Sequence, residues 1–354
     1  MQTDAPFLFG AGRGLLWSAL RASLPDGVRL LDLTVDRLVP AGDGSGRMKG
    51  AFLTVVYLTA SGQTNQLGVF AKRSTEEEHI EILHYEYLTR ERAPIPLLYG
   101  TADCAGEERV LLIEQLQPLA CTEAELASDR DLLRQFLGVT ARFNAVRPCD
   151  EHLRHLPRQD WGANLSTSAA LLRRIIRLAK EGDTLGADCA RFCRQNEPGI
   201  LRLAELAVLL AEAVRQMEVG LCHQDHHAGN VGLRPRTGEM LVIDLELIQL
   251  MPRFWDAAQW LGGCREDGPL CESQSEMSQW YLECYQRHGG RGEPLGEFLG
   301  VLRSLWLTRQ LCDVWWRLNA ALGRSAGEAG GQEASRQRNA SGLQSLLELL
   351  LMHA

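Results

Sequence analysis

His223-Gln224-Asp225-His226-His227-Ala228-Gly229-Asn230, followed by Ile243-Asp244-Leu245-Glu246, is the stretch on which the reading of this chain turns. An Asp, an Asn five residues later and a further Asp beyond it stand in an order that suits phosphoryl transfer from a magnesium nucleotide. In that chemistry the first Asp orients a hydroxyl nucleophile and accepts its proton, while the Asn oxygen and the second carboxylate hold the metal that bridges the phosphates. Leu221 and Cys222 lead into the polar run, Val231 to Leu233 follow it, and Pro235-Arg236-Thr237-Gly238 carries turn chemistry. Glu239 to Ile243 then return as an apolar strand, so a hairpin brings Asn230 and Asp244 side by side. Magnesium takes hard oxygens and needs only one or two protein ligands besides phosphate and water, so these two suffice.

The segment resembles the catalytic core of the aminoglycoside phosphotransferase and choline kinase superfamily, relatives of the eukaryotic protein kinases. That family carries a His-Gly-Asp-x-x-x-x-Asn loop and then Ile-Asp-aromatic-Glu or Asp. Here Gln224 stands in place of the usual Gly and Leu245 in place of the aromatic. The resemblance implies that Asp225 is catalytic, that Asn230 and Asp244 are metal ligands, and that ATP and Mg2+ are the cofactors. It also implies an α+β, bilobal protein-kinase-like fold. Residues 1–115 would form a nucleotide-binding lobe, an antiparallel sheet with one helix, and residues 116–354 a larger, mainly helical catalytic and substrate-binding lobe. His223 is expected to stabilise the catalytic loop, and Glu246 to contact metal, water or substrate.

Such a fold demands a strand Lys and a helix Glu upstream. Leu67-Gly68-Val69-Phe70-Ala71-Lys72 is an apolar strand ending in Lys, comparable to the Val-Ala-Ile-Lys signature of kinases. Thr75 to Arg90 follows as a helix, with Glu76, Glu77 and Glu78 in its first turn and Ile80, Leu83, Tyr87 and Leu88 at helical spacing. Glu86 is taken as the partner of Lys72, with Glu81 and Glu78 as substitutes. Between strands at Val28 to Pro40 and Ala51 to Ala60 lies Gly42-Asp43-Gly44-Ser45-Gly46-Arg47-Met48-Lys49-Gly50. Glycine lets backbone approach phosphates closely, so Gly44, Ser45 and Gly46 are assigned to the nucleotide. No Gly-Lys-Ser/Thr follows, which excludes a Walker loop. Further strands are read at Leu97 to Thr101 and Arg109 to Glu114, the second running into a hinge at Glu114-Gln115-Leu116 where backbone groups of Glu114 and Leu116 would meet the adenine. ATP is the family's tendency, and GTP stays open.

Beyond the hinge, helices are expected at Asp131 to Val146, Ser168 to Lys180, Leu201 to Met217, Ser278 to His288 and Leu295 to Leu322. Arg147 to Leu165 is read as a connection or small insertion, and Gly323 to Gly342 as a mobile connector before a helix at Leu343 to Met352. Asp256, at a helix start after Met251-Pro252-Arg253-Phe254-Trp255, is a capping or bracing residue. The aromatics Trp280, Tyr281, Tyr285, Trp306, Trp315 and Trp316 are read mainly as core, some lining the acceptor pocket.

Composition agrees with a two-lobed enzyme. The 354 residues, 45% hydrophobic and 23% charged, can bury a substantial core. No run of 18 to 20 apolar residues offers a membrane span, and Met1 to Gly10 lacks the features of a secretion signal, so a cytoplasmic location is expected. Ten scattered cysteines read as reduced thiols, Cys189 and Cys193 as packing residues. A net charge of −8 argues against a broad nucleic-acid surface. Oligomeric state is not legible.

Asp225-His226-His227 also matches the signature of a manganese phosphoesterase class, but that chemistry requires an upstream aspartate-rich metal motif that is missing. Only nine residues separate Glu246 from Asp256, too few for a protein kinase activation segment and its Ala-Pro-Glu motif. A small hydroxyl acceptor is therefore expected: an aminoglycoside-like antibiotic, a sugar or glycan intermediate, an amino alcohol or a natural-product precursor. A protein kinase, an adenylyl transferase on the same fold and a noncatalytic nucleotide-binding pseudokinase are the alternatives.

Overall fold

A short amphipathic helix, α1 (Arg13–Arg21), precedes the first of five strands: β1 (Arg29–Pro40), β2 (Met48–Leu58), β3 (Thr64–Ser74), then helix α2 (His79–Arg90), β4 (Leu98–Asp103) and β5 (Arg109–Glu114). The computed structural model describes residues 8–40, 48–74, 79–104, 108–182, 184–263, 271–323 and 332–353. Every neighbouring pair in the sheet is antiparallel, in the order β1-β2-β3-β5-β4. Alternation along the strands turns Leu53, Val55, Val69, Ala71, Val110 and Leu112 into one core, and Leu16 and Leu20 of α1 complete it.

The sequence reading has no helix before β1. Its apolar signal is short, and only Leu16 and Leu20, one turn apart, are fully covered. What lets α1 lie close is Gly100 on β4, where an added Cβ would sit 2.6 Å from the Ala19 carbonyl oxygen.

Contacts divide the chain into two compact units. The first comprises Met1–Pro157, His223–Gln249 and Cys284–Gly290. Besides the sheet it contains β6 (Gln117–Pro118), α3 (Glu123–Ser128), α4 (Arg130–Asn144) and α5 (Asp150–Leu153). α3 opens on a capping box between Thr122 and Glu125, and α4 on the Asp129 carboxylate.

The second unit comprises Arg158–Cys222, Leu250–Glu283 and Arg291–Ala354. It includes α6 (Trp161–Glu181), α7 (Ala187–Gln195), α8 (Glu197–Gln216) and β7 (Val219–Cys222). The chain then adds β8 (Val231–Leu233) and β9 (Met240–Val242) to the first unit, before β10 (Gln249–Pro252), α9 (Trp255–Leu261), α10 (Cys271–Arg287), α11 (Leu295–Ala321) and α12 (Gln332–His353). Aromatic contacts brace the second unit: Trp161 on Trp255 at 4.2 Å, and Phe254 against Phe298 at 4.8 Å.

Two boundaries differ from expectation. α6 begins at Trp161, within the stretch read as a connection, because Asp160 caps the Ala163 amide at 2.9 Å and Trp161 and Leu165 are buried. α12 starts at Gln332, ten residues before the end of the expected connector, although Gly, Ala and Ser dominate that stretch. Among the described residues no helix is long and apolar enough to cross a membrane.

Gly100→Val should cost about 1–3 kcal/mol through overpacking against α1, read as a lower urea midpoint; an unchanged midpoint would show that α1 yields freely.

Candidate active site

The hairpin of β8 and β9 registers Val231 with Val242, and the Ile243 amide donates to the Asn230 carbonyl at 3.0 Å. Asn230 and Asp244 therefore flank its open end. The preceding loop is tied to the same point: buried His223 donates from Nε2 to the Ile243 carbonyl at 2.8 Å. Asn230 Nδ2 donates to the Asp225 carbonyl at 2.8 Å and faces Asp225 Oδ2 at 3.4 Å. With its nitrogen so used, the Asn230 side-chain oxygen is the atom left for a ligand.

The two neighbouring histidines differ. His226 is buried against Phe136, centroids 4.6 Å apart, and donates from Nε2 to Thr140 Oγ1 at 2.7 Å, while that hydroxyl donates to the Phe136 carbonyl at 2.7 Å. It anchors the loop to α4. His227 instead accepts the Gly229 amide on Nδ1 at 3.0 Å, which places its proton on Nε2, 3.5 Å from Asp225 Oδ2. His227, to which the sequence reading assigns no catalytic part, thus faces the Asp225 carboxylate.

Gln224 and Asp244 both adopt left-handed backbone, with φ of 70° and 60°. Glycine is the usual residue at the first position because this region costs a side-chain-bearing residue about 1 kcal/mol. Gln224 is held there by the buried Gln249, whose amide donates to its side-chain oxygen. The departure from Gly leaves the turn intact.

Lys72 is the electrostatic centre. Its ammonium lies 2.7 and 2.9 Å from the two Glu81 oxygens, 2.7 Å from Asp244 Oδ1 and 3.2 Å from Glu246 Oε1. Burial by itself would lower its pKa, but Glu81, Asp244 and Glu246 outweigh that and raise it above the ordinary lysine value. Burial would likewise raise the Asp244 pKa, yet the charge and hydrogen bond of Lys72, with Lys49 and His223 beyond, hold it below the usual carboxylate value.

The partner of Lys72 is Glu81, which corrects the choice of Glu86. Five residues along a helix is a rotation of roughly 140°, so the two cannot share a face. Glu81, His84, Tyr85 and Leu88 occupy the buried stripe, whereas Glu86 is half-buried elsewhere. The i, i+3, i+4, i+7 pattern of those four positions is the signal that locates Glu81. Glu81 Oε1 also accepts the Leu245 amide at 3.1 Å, joining α2 to the Asp244 segment. Glu78 lies outside the described residues, as do Gly44, Ser45 and Gly46.

A cavity of about 360 Å³ opens here, lined by Lys49, Lys72, Glu81, Asn230, Asp244, Glu114 and Leu116, with Phe70 and Ile113 as apolar surface. That volume falls within the range of small-ligand pockets. The Glu114 carboxylate is clamped by Arg234 at 2.8 and 3.0 Å, which fixes the expected hinge segment. Asp225 is outside this lining, with its side chain 55% exposed. Lys49, assigned no role from sequence, reaches Glu246 Oε1 at 3.2 Å. Oxygen atoms of Glu81, Asp244 and Glu246 gather within 4.8 Å of one another, and Asn230 lines the same cavity. Such hard oxygens fit magnesium.

Glu81→Ala should destabilise the protein by about 3 kcal/mol, at the low end for breaking a buried pair because Asp244 and Glu246 remain beside Lys72. Glu86→Ala should stay within about 0.5 kcal/mol, so equal urea midpoints for the two variants would contradict the pairing. Asp244→Asn tolerates the left-handed backbone and removes only the charge. Because the folded Asp244 pKa is depressed below 3.8, its stabilising charge is present above that pH and lost as pH falls through the lowered value. The stability gap between wild type and Asp244→Asn should accordingly shrink in acid, and a gap constant from about pH 7 to about pH 2 would exclude the charge as its origin.

A family model described as "Phosphotransferase enzyme family" matches residues 56–287. No curated protein matches the sequence. Among solved structures, spectinomycin phosphotransferase in complex with ADP and spectinomycin is 14% identical, with a TM-score of 0.52 over 92% of this chain and 93% of that one. Its AMP-bound complex is 16% identical, with a TM-score of 0.52 over 84% and 90%. At these identities the likeness shows the α+β, protein-kinase-like fold. With the family model spanning well over half of its length, the chain belongs to the phosphotransferase enzyme family and is a small-molecule kinase of the aminoglycoside phosphotransferase and choline kinase-like superfamily.

Proposed function

We propose that this kinase uses ATP and magnesium to transfer the γ-phosphoryl group to a hydroxyl of a small molecule. The observation that carries the reading is the convergence, within one compact unit, of Lys72, Glu81, Asp244 and Asn230 on a single cavity, with Asp225 hydrogen-bonded beside it. Lys72 holds the α- and β-phosphates, oriented by Glu81. Backbone groups of Glu114 and Leu116 take the adenine, and Gly44, Ser45 and Gly46 belong to the nucleotide site on sequence grounds. Asn230 and Asp244 would hold Mg2+, with Glu246 near enough to join them; bound there, the ion neutralises charge on the transferring phosphoryl group.

Asp225 has the chemistry of the acceptor side. Its carboxylate is exposed enough to meet a hydroxyl, and Asn230 and His227 restrict its orientation. It would align that hydroxyl for in-line attack and take its proton. His223 carries no step and holds the Ile243 carbonyl, and through it the spacing of Asp225 and Asp244. Residues 1–115 serve the nucleotide and residues 116–354 supply catalysis and acceptor recognition in this reading. An aminoglycoside-like antibiotic, as in the spectinomycin-bound relative, a sugar or glycan intermediate, an amino alcohol and a natural-product precursor are the acceptor classes to screen.

Incubation with labelled ATP, magnesium and members of those classes should yield a product heavier by one phosphate, identified by mass spectrometry. A product carrying a nucleotide instead would establish adenylyl transfer. Asp225→Asn should lower kcat about 10²- to 10⁴-fold while calorimetry shows nucleotide binding retained. Undiminished turnover in that variant would remove Asp225 from the chemistry.

A further inference from the structure

Lys49 is the second residue of β2, and its neighbour Gly50 is in register with Lys72 on β3. The two lysine ammoniums meet at one atom, since Glu246 Oε1 lies 3.2 Å from each. Their surroundings are unequal. Lys72 is enclosed, its side chain 8% exposed, and it donates hydrogen bonds to Glu81 and Asp244 while Glu246 stands 3.2 Å away as an ion-pair neighbour. Lys49 is 37% exposed on the cavity wall, and Glu246 is its ion-pair partner among the described residues.

Two cations this close repel each other, and an anion placed between them offsets that repulsion by attracting both. Glu246 supplies that anion here, between two lysines that both line a cavity sized for a small ligand. A phosphate oxygen offers the same charge and acceptor geometry, with more charge behind it. A phosphate arriving at Lys72 competes with the carboxylates around it, and Glu246, at the longest of the lysine's ion-pair distances and without a hydrogen bond to it, is the one least tightly held.

From this arrangement we infer that Lys49 is a second phosphate-binding cation, engaging the β- and γ-phosphates, and that Glu246 occupies the position between Lys49 and Lys72 until the nucleotide displaces it. The inference rests on the proposed function and names a residue that discriminates triphosphate from shorter nucleotides. As an ordinary surface ion pair Lys49 would add little to stability and nothing to nucleotide choice.

Calorimetry of the full chain with the non-hydrolysable triphosphate AMPPNP, ADP and AMP, each with magnesium, separates these roles. Lys49→Met should weaken AMPPNP about tenfold, the loss of one charge-assisted hydrogen bond. ADP should weaken less and AMP not at all, while Lys49→Arg should restore AMPPNP affinity. In EDTA, Glu246→Gln should bind AMPPNP several-fold more tightly than wild type, because the competing carboxylate is gone. Unchanged AMPPNP affinity in Lys49→Met, or equal weakening of all three nucleotides, overturns the inference and leaves the kinase reading standing. Weaker binding by Glu246→Gln in EDTA overturns the place-holding role. A wild-type protein that binds none of the three overturns the kinase reading and the inference together.

Discussion

One buried ammonium organises the site. Lys72, on the sheet, Glu81, on α2, and Asp244, at the end of the hairpin, come from three separate pieces of chain, and charge at contact distance is what joins them. Removing so many ionic groups from water is costly, and it is tolerated only where each carboxylate has a cation and each amide a partner. The Leu245 amide on Glu81 and the His223 hydrogen bond to the Ile243 carbonyl meet that requirement from the backbone side. Dense pairing of this kind keeps the groups at fixed separations, as a preorganised site needs.

Backbone strain sits beside the same centre. Asp244 follows β9 in a left-handed conformation and Gln224 precedes Asp225 in another, so both carboxylates emerge from turns that side-chain-bearing residues rarely adopt. Strain persists where surrounding contacts over-determine it. For Asp244 the contact is Lys72; for Gln224 it is Gln249. The histidines divide the remaining support, His226 anchoring the loop to α4 and His227 directing a proton toward Asp225.

The fold places this cluster on a stiff base. α1 seals one part of the sheet core through the close approach at Gly100, and Arg234 clamps Glu114 at the end of β5. Both contacts join residues far apart in sequence, and neither side of either pair carries a local pattern that foretells it.

The order Asp225, Asn230, Asp244 and a strand ending in Lys72 is local chemistry, readable because a short hairpin and a period-two strand leave fixed spacing in the sequence. The sheet strands and most helices were legible for the same reason, their periodicity being a property of neighbouring residues. The expected pairing of Lys72 failed because every Glu near α2 is equally acidic on paper, and only the direction in which the helix turns its stripe of Glu81, His84, Tyr85 and Leu88 separates them. Lys49 was invisible for a related reason: its meaning comes from an oxygen on Glu246, 197 residues away. Spacing along the chain determined which groups are present and what chemistry they suit, and tertiary structure alone decided which charges meet, since Coulombic pairing depends on distance through space and not along the backbone.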